Sequence, residues 1–236
     1  MMTPRNSAVV KPGDAGAAWR KPPLPDPPRK HDMRQYNHYH RAAIGNTIYR
    51  HFVRQPDVLV SGEGYLCIDR NQPQSRWRYP DLLIAYGVDP DDISENNGYE
   101  IAVVGKPPDL VLEVASPSTG RADYTTKRDD YAAFGVGEYW RFDYSGGRYH
   151  DAPLAGDRLV NGQYEPIDLA DHRSGKMFGM VSGYSPVLDL YLCWDSGKLR
   201  FYDPKTDGFL MAPQELETAL AEAQERIRQL EAELER

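Results

Sequence analysis

Residues Pro108–Tyr139 read PDLVLEVASPSTGRADYTTKRDDYAAFGVGEY. The apolar run Leu110-Val111-Leu112 is followed at once by an acidic residue, Glu113, before Val114 and Ala115 resume apolar character. A carboxylate is costly in a strand covered on both faces unless it is paired or holds a cation. Ser116-Pro117-Ser118-Thr119 supplies turn chemistry and a cap, so a helix is expected from about Arg121 to Phe134, with Gly135 as its stop. That helix carries Lys127, and a lysine delivered close to a buried carboxylate suggests charge stabilisation or proton transfer rather than packing. Gly137 to Asp143 alternates like a second strand. The stretch therefore predicts a strand, a helix and a strand built around an active site.

Three acidic residues on strand-like segments, Asp81, Asp109 and Glu113, could hold a divalent cation. Mg²⁺ takes hard oxygen ligands, usually one or two carboxylates with water and a substrate phosphate. Asp109 and Glu113 share one strand at i and i+4, which separates them by roughly 13 Å, too far for one ion. Asp81 lies in a different strand-like run, Tyr79 to Tyr86, and a neighbouring strand can bring its side chain within about 5 Å of Glu113. Asp81 with Glu113 is the better metal pair, and Asp109 marks the strand entrance or a supporting contact. On the helix, Asp123 and Tyr131 flank Lys127 at i−4 and i+4, so the three share a face. Spacing leaves two outcomes for Lys127: it reaches the metal-bound water or the phosphate, or it is an exposed lysine paired with Asp123.

Outward from this stretch, Val58–Val60 and Gly64–Ile68 read as two strands joined across Ser61-Gly62-Glu63, and Gly87 to Gly98 as an acidic loop. Ile101–Val104 suits a short strand or a lead-in, and residues 33–51 could form a helix. Further strands are expected at Arg158–Val160, around Leu188–Trp194 and at Gly197–Tyr202. Hairpins on either side of a central strand–helix–strand unit imply a mixed α/β sheet. Residues 1–30, rich in Pro, Gly and Ala, form a disordered or polyproline-like arm. That arm holds six basic residues against two acidic ones and could add nonspecific phosphate contacts. Residues 31–211 form the folded domain. In the terminal segment 212–236, Leu216, Leu220, Ala223, Ile227, Leu230 and Leu234 alternate spacings of four and three. This is a heptad seam that either docks on its own domain or pairs with a second copy.

At 236 residues the chain suits one domain with tails, and its 40% hydrophobic and 27% charged content are globular values. The net charge of −7 argues mildly against indiscriminate nucleic-acid binding, which needs a basic footprint. No apolar run approaches the roughly 18 residues of a membrane span, and the first residues do not read as a signal peptide. Cys67 and Cys193 lie far apart in apolar runs, so we expect buried free thiols and a cytoplasmic protein. His31, His38, His40 and His51 lack convincing metal spacing. Tyr139 and Trp140 are expected in the core rather than stacked on a base, and Ser145-Gly146-Gly147 as a turn rather than a phosphate loop.

The run PDLVLEVASPST…D…K…Y…GVGEYW resembles the signature of the Uma2 family of restriction-endonuclease-like proteins, which have the PD-(D/E)XK nuclease fold. RYPDLLIAYGV upstream and GYSPVLDLYLCWDSGKLRFYDPKTDGFL downstream extend the resemblance over residues 55–236. It implies an α/β, restriction-endonuclease-like mixed sheet flanked by helices, with Asp81 as first acid and Glu113 as second. In the general nuclease pattern a lysine follows the second acid by two residues. Here that position is Ala115, and the resemblance moves the lysine role to Lys127. The family's helix glutamate before the first hairpin has no match in its familiar motif, although Glu63 lies nearby. The implied activity is hydrolysis of DNA phosphodiester bonds, with Mg²⁺ (or Mn²⁺) on Asp81 and Glu113, and the heptad seam suggests that the enzyme works as a homodimer through the terminal helix. The alternative is a non-catalytic binding or interaction module on the same scaffold.

Overall fold

The central stretch becomes strand, helix and strand in the structure, a computed structural model that describes residues 22–26, 44–62 and 64–234. In chain order the elements are helix α1 (Ile44–Phe52), strands β1 (Val58–Ser61), β2 (Tyr65–Cys67) and β3 (Leu82–Tyr86), helix α2 (Pro90–Glu95) and strand β4 (Gly98–Glu100). The one-turn helix α3 (Ile101–Val104), strand β5 (Leu110–Val114), helices α4 (Gly120–Asp123) and α5 (Thr126–Phe134) and strand β6 (Glu138–Phe142) follow. Then come β7 (Leu154–Val160), β8 (Gln163–Pro166), β9 (Leu169–Asp171), β10 (Val181–Ser185), β11 (Leu190–Asp195), β12 (Lys198–Asp203), β13 (Gly208–Phe209) and helix α6 (Pro213–Leu234).

Six strands form a mixed sheet in the order β1-β3-β5-β6-β7-β8, in which only β5 and β6 run parallel. Parallel neighbours need a crossover, and α4 and α5 supply it. Side chains alternate between the two faces of each strand, which divides the core in two. Leu82, Ile84, Leu110, Leu112, Trp140 and Phe142 face a five-stranded antiparallel sheet, β13-β12-β11-β10-β9, and pack on its Leu190, Leu192, Leu199 and Phe201. Leu83, Ala85, Val111 and Tyr139 face the other way and pack with Tyr131 of α5. Tyr139 and Trp140 are both fully buried, as expected of core residues.

Several local expectations change. The two strands 58–60 and 64–68 are no hairpin: β1 pairs with β3, while β2 pairs in parallel with β4 in a separate two-stranded sheet. Ile101–Val104 is a helical turn closed by Gly105 in the left-handed region. The acidic loop holds α2, whose start is set by the Asp89 carboxylate accepting from the amides of Asp91 and Asp92, with Pro90 in the first turn. The helix expected over 121–134 is broken at Tyr124-Thr125, where the Thr125 hydroxyl donates to the Arg121 carbonyl at 2.7 Å and competes with the helical ladder. Gly135, at φ 83°, ends α5 as expected. Within the proline-rich arm, Leu24 is buried beside Tyr65 and Cys67, and its amide donates to the Asn96 carbonyl at 2.9 Å. Residues 22–26 are thus docked on the domain, while the rest of the arm, and residues 33–43 of the helix expected over 33–51, lie outside the described residues.

Trp140 fixes how closely the two sheets approach. A Cβ at Gly156 on β7 would sit 2.8 Å from its ring, and one at Gly183 on β10 would sit 2.9 Å from it. Both strands therefore present glycine to the indole. Gly156→Ala is expected to destabilise the fold by about 1–3 kcal/mol through overpacking. The double variant Gly156→Ala/Trp140→Leu should recover part of the loss, as read by thermal unfolding of the single and double variants.

Candidate active site

The antiparallel register of β3 and β5 pairs Leu82 with Leu112, so one step outward Asp81 stands opposite Glu113. Asp81 accepts a 2.7 Å hydrogen bond from the Val114 amide through Oδ2, which ties it to the end of β5. Both carboxylates are buried and belong to the helix-covered face of the sheet. Asp109 sits at the far end of β5, where its carboxylate accepts from the Tyr86 amide at 2.8 Å and pairs with Lys106 at 2.5 Å. It marks the strand entrance.

Helix α5 lies over this face and delivers two groups to Glu113. The Tyr131 hydroxyl donates to Oε1 at 2.6 Å, and the Lys127 ammonium stands 3.0 Å from Oε2. Lys127 also pairs with Asp123 Oδ1 at 2.7 Å, across the break between α4 and α5. The expected pairing with Asp123 is present, but on a side chain only 20% exposed that also contacts Glu113. Asp123 is itself fully buried: its Oδ2 lies 2.9 Å from His150 Nε2, and its carbonyl accepts from the Tyr139 hydroxyl at 2.8 Å. His150 is held by a loop organised around Asp143, whose carboxylate accepts from the amides of Ser145, Tyr149 and His150 at 2.7–2.9 Å.

On the other side of Glu113, the parallel register places Arg141 of β6 next to it. The Arg141 guanidinium donates to Asp157 at 2.9 Å, and Arg128 binds the second oxygen of Asp157 at 2.8 Å. Asp157 thus holds both arginines, and Lys127 is the cation that contacts Glu113.

The electrostatics follow from burial. Loss of solvent pushes the Glu113 carboxyl up to about 8, with Asp81 and Asp123 adding to the rise, while Lys127 and the Tyr131 hydroxyl oppose it. Burial pulls Lys127 down, but Glu113 and Asp123 more than offset that and hold it above its ordinary value. Burial and the Glu113 charge keep Tyr131 well above the usual phenol range, so it remains a donor. Three carboxylates surround one ammonium, leaving an excess of negative charge in a buried cluster. Among the described residues no three His, Cys, Asp or Glu side chains converge as a metal cage. What the protein offers is a pair of hard carboxylates, which fits an ion such as Mg²⁺ that draws its remaining ligands from water and phosphate.

The structure brings Asp81, Glu113 and Lys127 together, with Asp123 and Tyr131 from the helix face that spacing had indicated. His150 and Arg141 were not foreseen. Arg141 is reachable only through the β5–β6 register, and His150 comes from a loop 27 residues beyond Asp123 with no local signal. Glu63, His31, His38 and His40 lie outside the described residues. Cys67 and Cys193 are buried free thiols, and no helix among the described residues is long and apolar enough to cross a membrane.

Removing the cation from this cluster should be costly. Lys127→Met is expected to destabilise the protein by about 3–5 kcal/mol at pH 8, because Glu113 and Asp123 lose their counter-charge in the interior. Without the ammonium the Glu113 carboxyl moves further above its unfolded value. Such a group contributes stability only when protonated; Glu113 of the parent keeps its proton up to about 8 and that of the variant to higher pH, so the deficit should be flat from pH 6 to 8 and widen as pH rises from 8 toward 10. Denaturant unfolding of both proteins across that range, in EDTA, measures it.

The family model of Uma2, described as "Putative restriction endonuclease", matches residues 36–177. No curated protein matches. Among solved structures, the chain is similar to a protein of Anabaena variabilis ATCC 29413 described as "a putative nuclease belonging to DUF820", with 17% identity over 63% of this chain and 74% of that one and a TM-score of 0.39. With the family model covering residues 36–177, including Asp81, Glu113 and Lys127, the chain belongs to the Uma2 family.

Proposed function

We propose that this protein is a metal-dependent endonuclease that hydrolyses phosphodiester bonds of DNA, with Asp81, Glu113 and Lys127 as its catalytic residues. The observation that carries the proposal is the convergence of two buried carboxylates and the half-buried Lys127 at the end of the β3–β5 pair, under α5. Asp81 and Glu113, on adjacent strands, would hold the divalent cation, Mg²⁺ (or Mn²⁺). When bound, that ion supplies charge neutralisation at the phosphate and a lowered pKa for its water. The Lys127 ammonium faces the charge that develops on the phosphate oxygens, held in line by Asp123 on one side and Glu113 on the other. Tyr131 orients Glu113 so that one oxygen stays directed at Lys127. The enzyme works as a homodimer through α6, since two-fold pairing suits cuts on both strands. Two buried free thiols suit the reducing cytoplasm.

Supercoiled plasmid should be nicked or linearised by the purified protein in Mg²⁺ or Mn²⁺ and left intact in EDTA. Asp81→Ala and Glu113→Ala should each abolish cleavage, and Lys127→Ala should lower it by about 10²–10³-fold, the usual effect of losing one preorganised charge-stabilising group. Circular dichroism of the variants separates loss of chemistry from loss of fold. Full activity in both carboxylate variants would refute the assignment. Plasmid binding without cleavage in every metal would instead support the non-catalytic module.

A further inference from the structure

Helix α6 runs for 22 residues and buries none of them. Its first turn is tied to the second sheet, where Arg200 pairs with Glu215 at 3.0 Å and the Ala212 amide donates to the same carboxylate at 2.8 Å. Beyond that anchor the heptad seam stands in solvent. Leu216, Leu220, Ile227, Leu230 and Leu234 are between 40% and 88% exposed. Docking of α6 on its own domain is therefore not what the structure contains. A contiguous apolar stripe of this kind marks an interaction surface.

The seam carries its own instructions about the partner. Spacing assigns Leu220, Ile227 and Leu234 to the a positions and Leu216, Ala223 and Leu230 to the d positions. At the central layer, Ile227 at a followed by Leu230 at d is the combination that suits two strands in parallel. The flanking positions decide orientation. In a parallel, in-register pair Arg226 (g) of each copy faces Glu231 (e) of the other, so the pair gains two opposite-charge contacts. In an antiparallel pair centred on the same seam, Glu217 would face Glu231 twice and Arg226 would face Arg226. The intrahelical contacts, Arg228 with Glu225 at 3.0 Å and Gln229 with Glu225 at 3.2 Å, run along the far side of the helix. They leave the seam flanks available.

We infer that α6 binds the α6 of a second copy as a parallel, in-register, two-stranded coiled coil, so that both protomers hang from the same end of one short stalk. This rests on the dimeric reading above and adds its geometry, which antiparallel pairing would reverse. Sedimentation equilibrium of the full chain should give twice the mass of the 26.8 kDa protomer. Arg226→Glu should shift it toward monomer, and Arg226→Glu/Glu231→Arg, which restores opposite charges in the parallel register, should return the dimer. Leu216→Cys should form an intermolecular disulfide under mild oxidation, whereas the parent should not, its two thiols being buried. In an antiparallel pair the two introduced sulfurs would lie about 27 Å apart along the axis and could not join. A monomer at all concentrations overturns both the dimer and its geometry. A dimer that neither cross-links at position 216 nor responds to the charge swap overturns the parallel arrangement alone, and plasmid cleavage, measured separately, tests the nuclease proposal.

Discussion

The burial of one carboxylate, Glu113, sets requirements that reach most of the molecule. Taking an ionised carboxylate out of water costs several kcal/mol, and the cost is recovered only with a counter-charge and hydrogen bonds of good geometry. Here Lys127 supplies the charge and Tyr131 the hydrogen bond, which obliges α5 to cross the sheet at this point. Lys127 is then itself a half-buried cation, shared with Asp123. Asp123 in turn is buried and leans on His150, whose loop is organised by Asp143. One acidic residue in a strand thus engages the crossover helices, the following strand and the loop beyond it.

The same sheet contains a second buried glutamate with a different fate. Glu138, at the start of β6, faces the opposite side and accepts from Trp140 Nε1 at 2.9 Å, Ser185 Oγ at 2.5 Å and the Val187 amide at 3.2 Å. Its donors are uncharged and come partly from the second sheet, so it acts as a clamp between sheets. Glu113 is surrounded instead by Asp81, Asp123 and a shared lysine, an arrangement with surplus negative charge. The contrast separates a carboxylate that serves packing from one suited to hold a cation, although each is an acidic residue in an apolar strand.

This contrast also shows how much was legible in the sequence. The rise per residue of a strand excludes Asp109 as a co-ligand of Glu113, and helix periodicity groups Asp123, Lys127 and Tyr131, because both arguments are local. The mixed α/β class follows from the strand–helix–strand order in the same way. Pairing is not local. Ser61-Gly62-Glu63 looks like a hairpin connection, yet β2 leaves its neighbour for β4, 31 or more residues on. Arg141 reaches the site only through the β5–β6 register, and His150 only through a loop that folds back onto Asp123. Helix α2 is a different case, since Asp89 and Pro90 carry an ordinary start signal that the acidity of the segment obscured.

The choice of lysine as the cation beside Glu113 has a physical logic. Arg141 is the register neighbour of Glu113 and could have offered a planar fork, but it is bound, with Arg128, to Asp157. A guanidinium fork on Glu113 would engage both carboxylate oxygens at once and leave neither for another ligand. An ammonium is a point charge with three rotatable donors, and the contact of Lys127 with Asp123, at 2.7 Å, is shorter than the one with Glu113, at 3.0 Å. Under the proposed function, Lys127 would stay anchored on Asp123 when Asp81 and Glu113 hold a divalent cation, and its charge would remain beside them. Asp157 takes part by withholding the arginines, which keeps the Glu113 oxygens exchangeable under the proposed function.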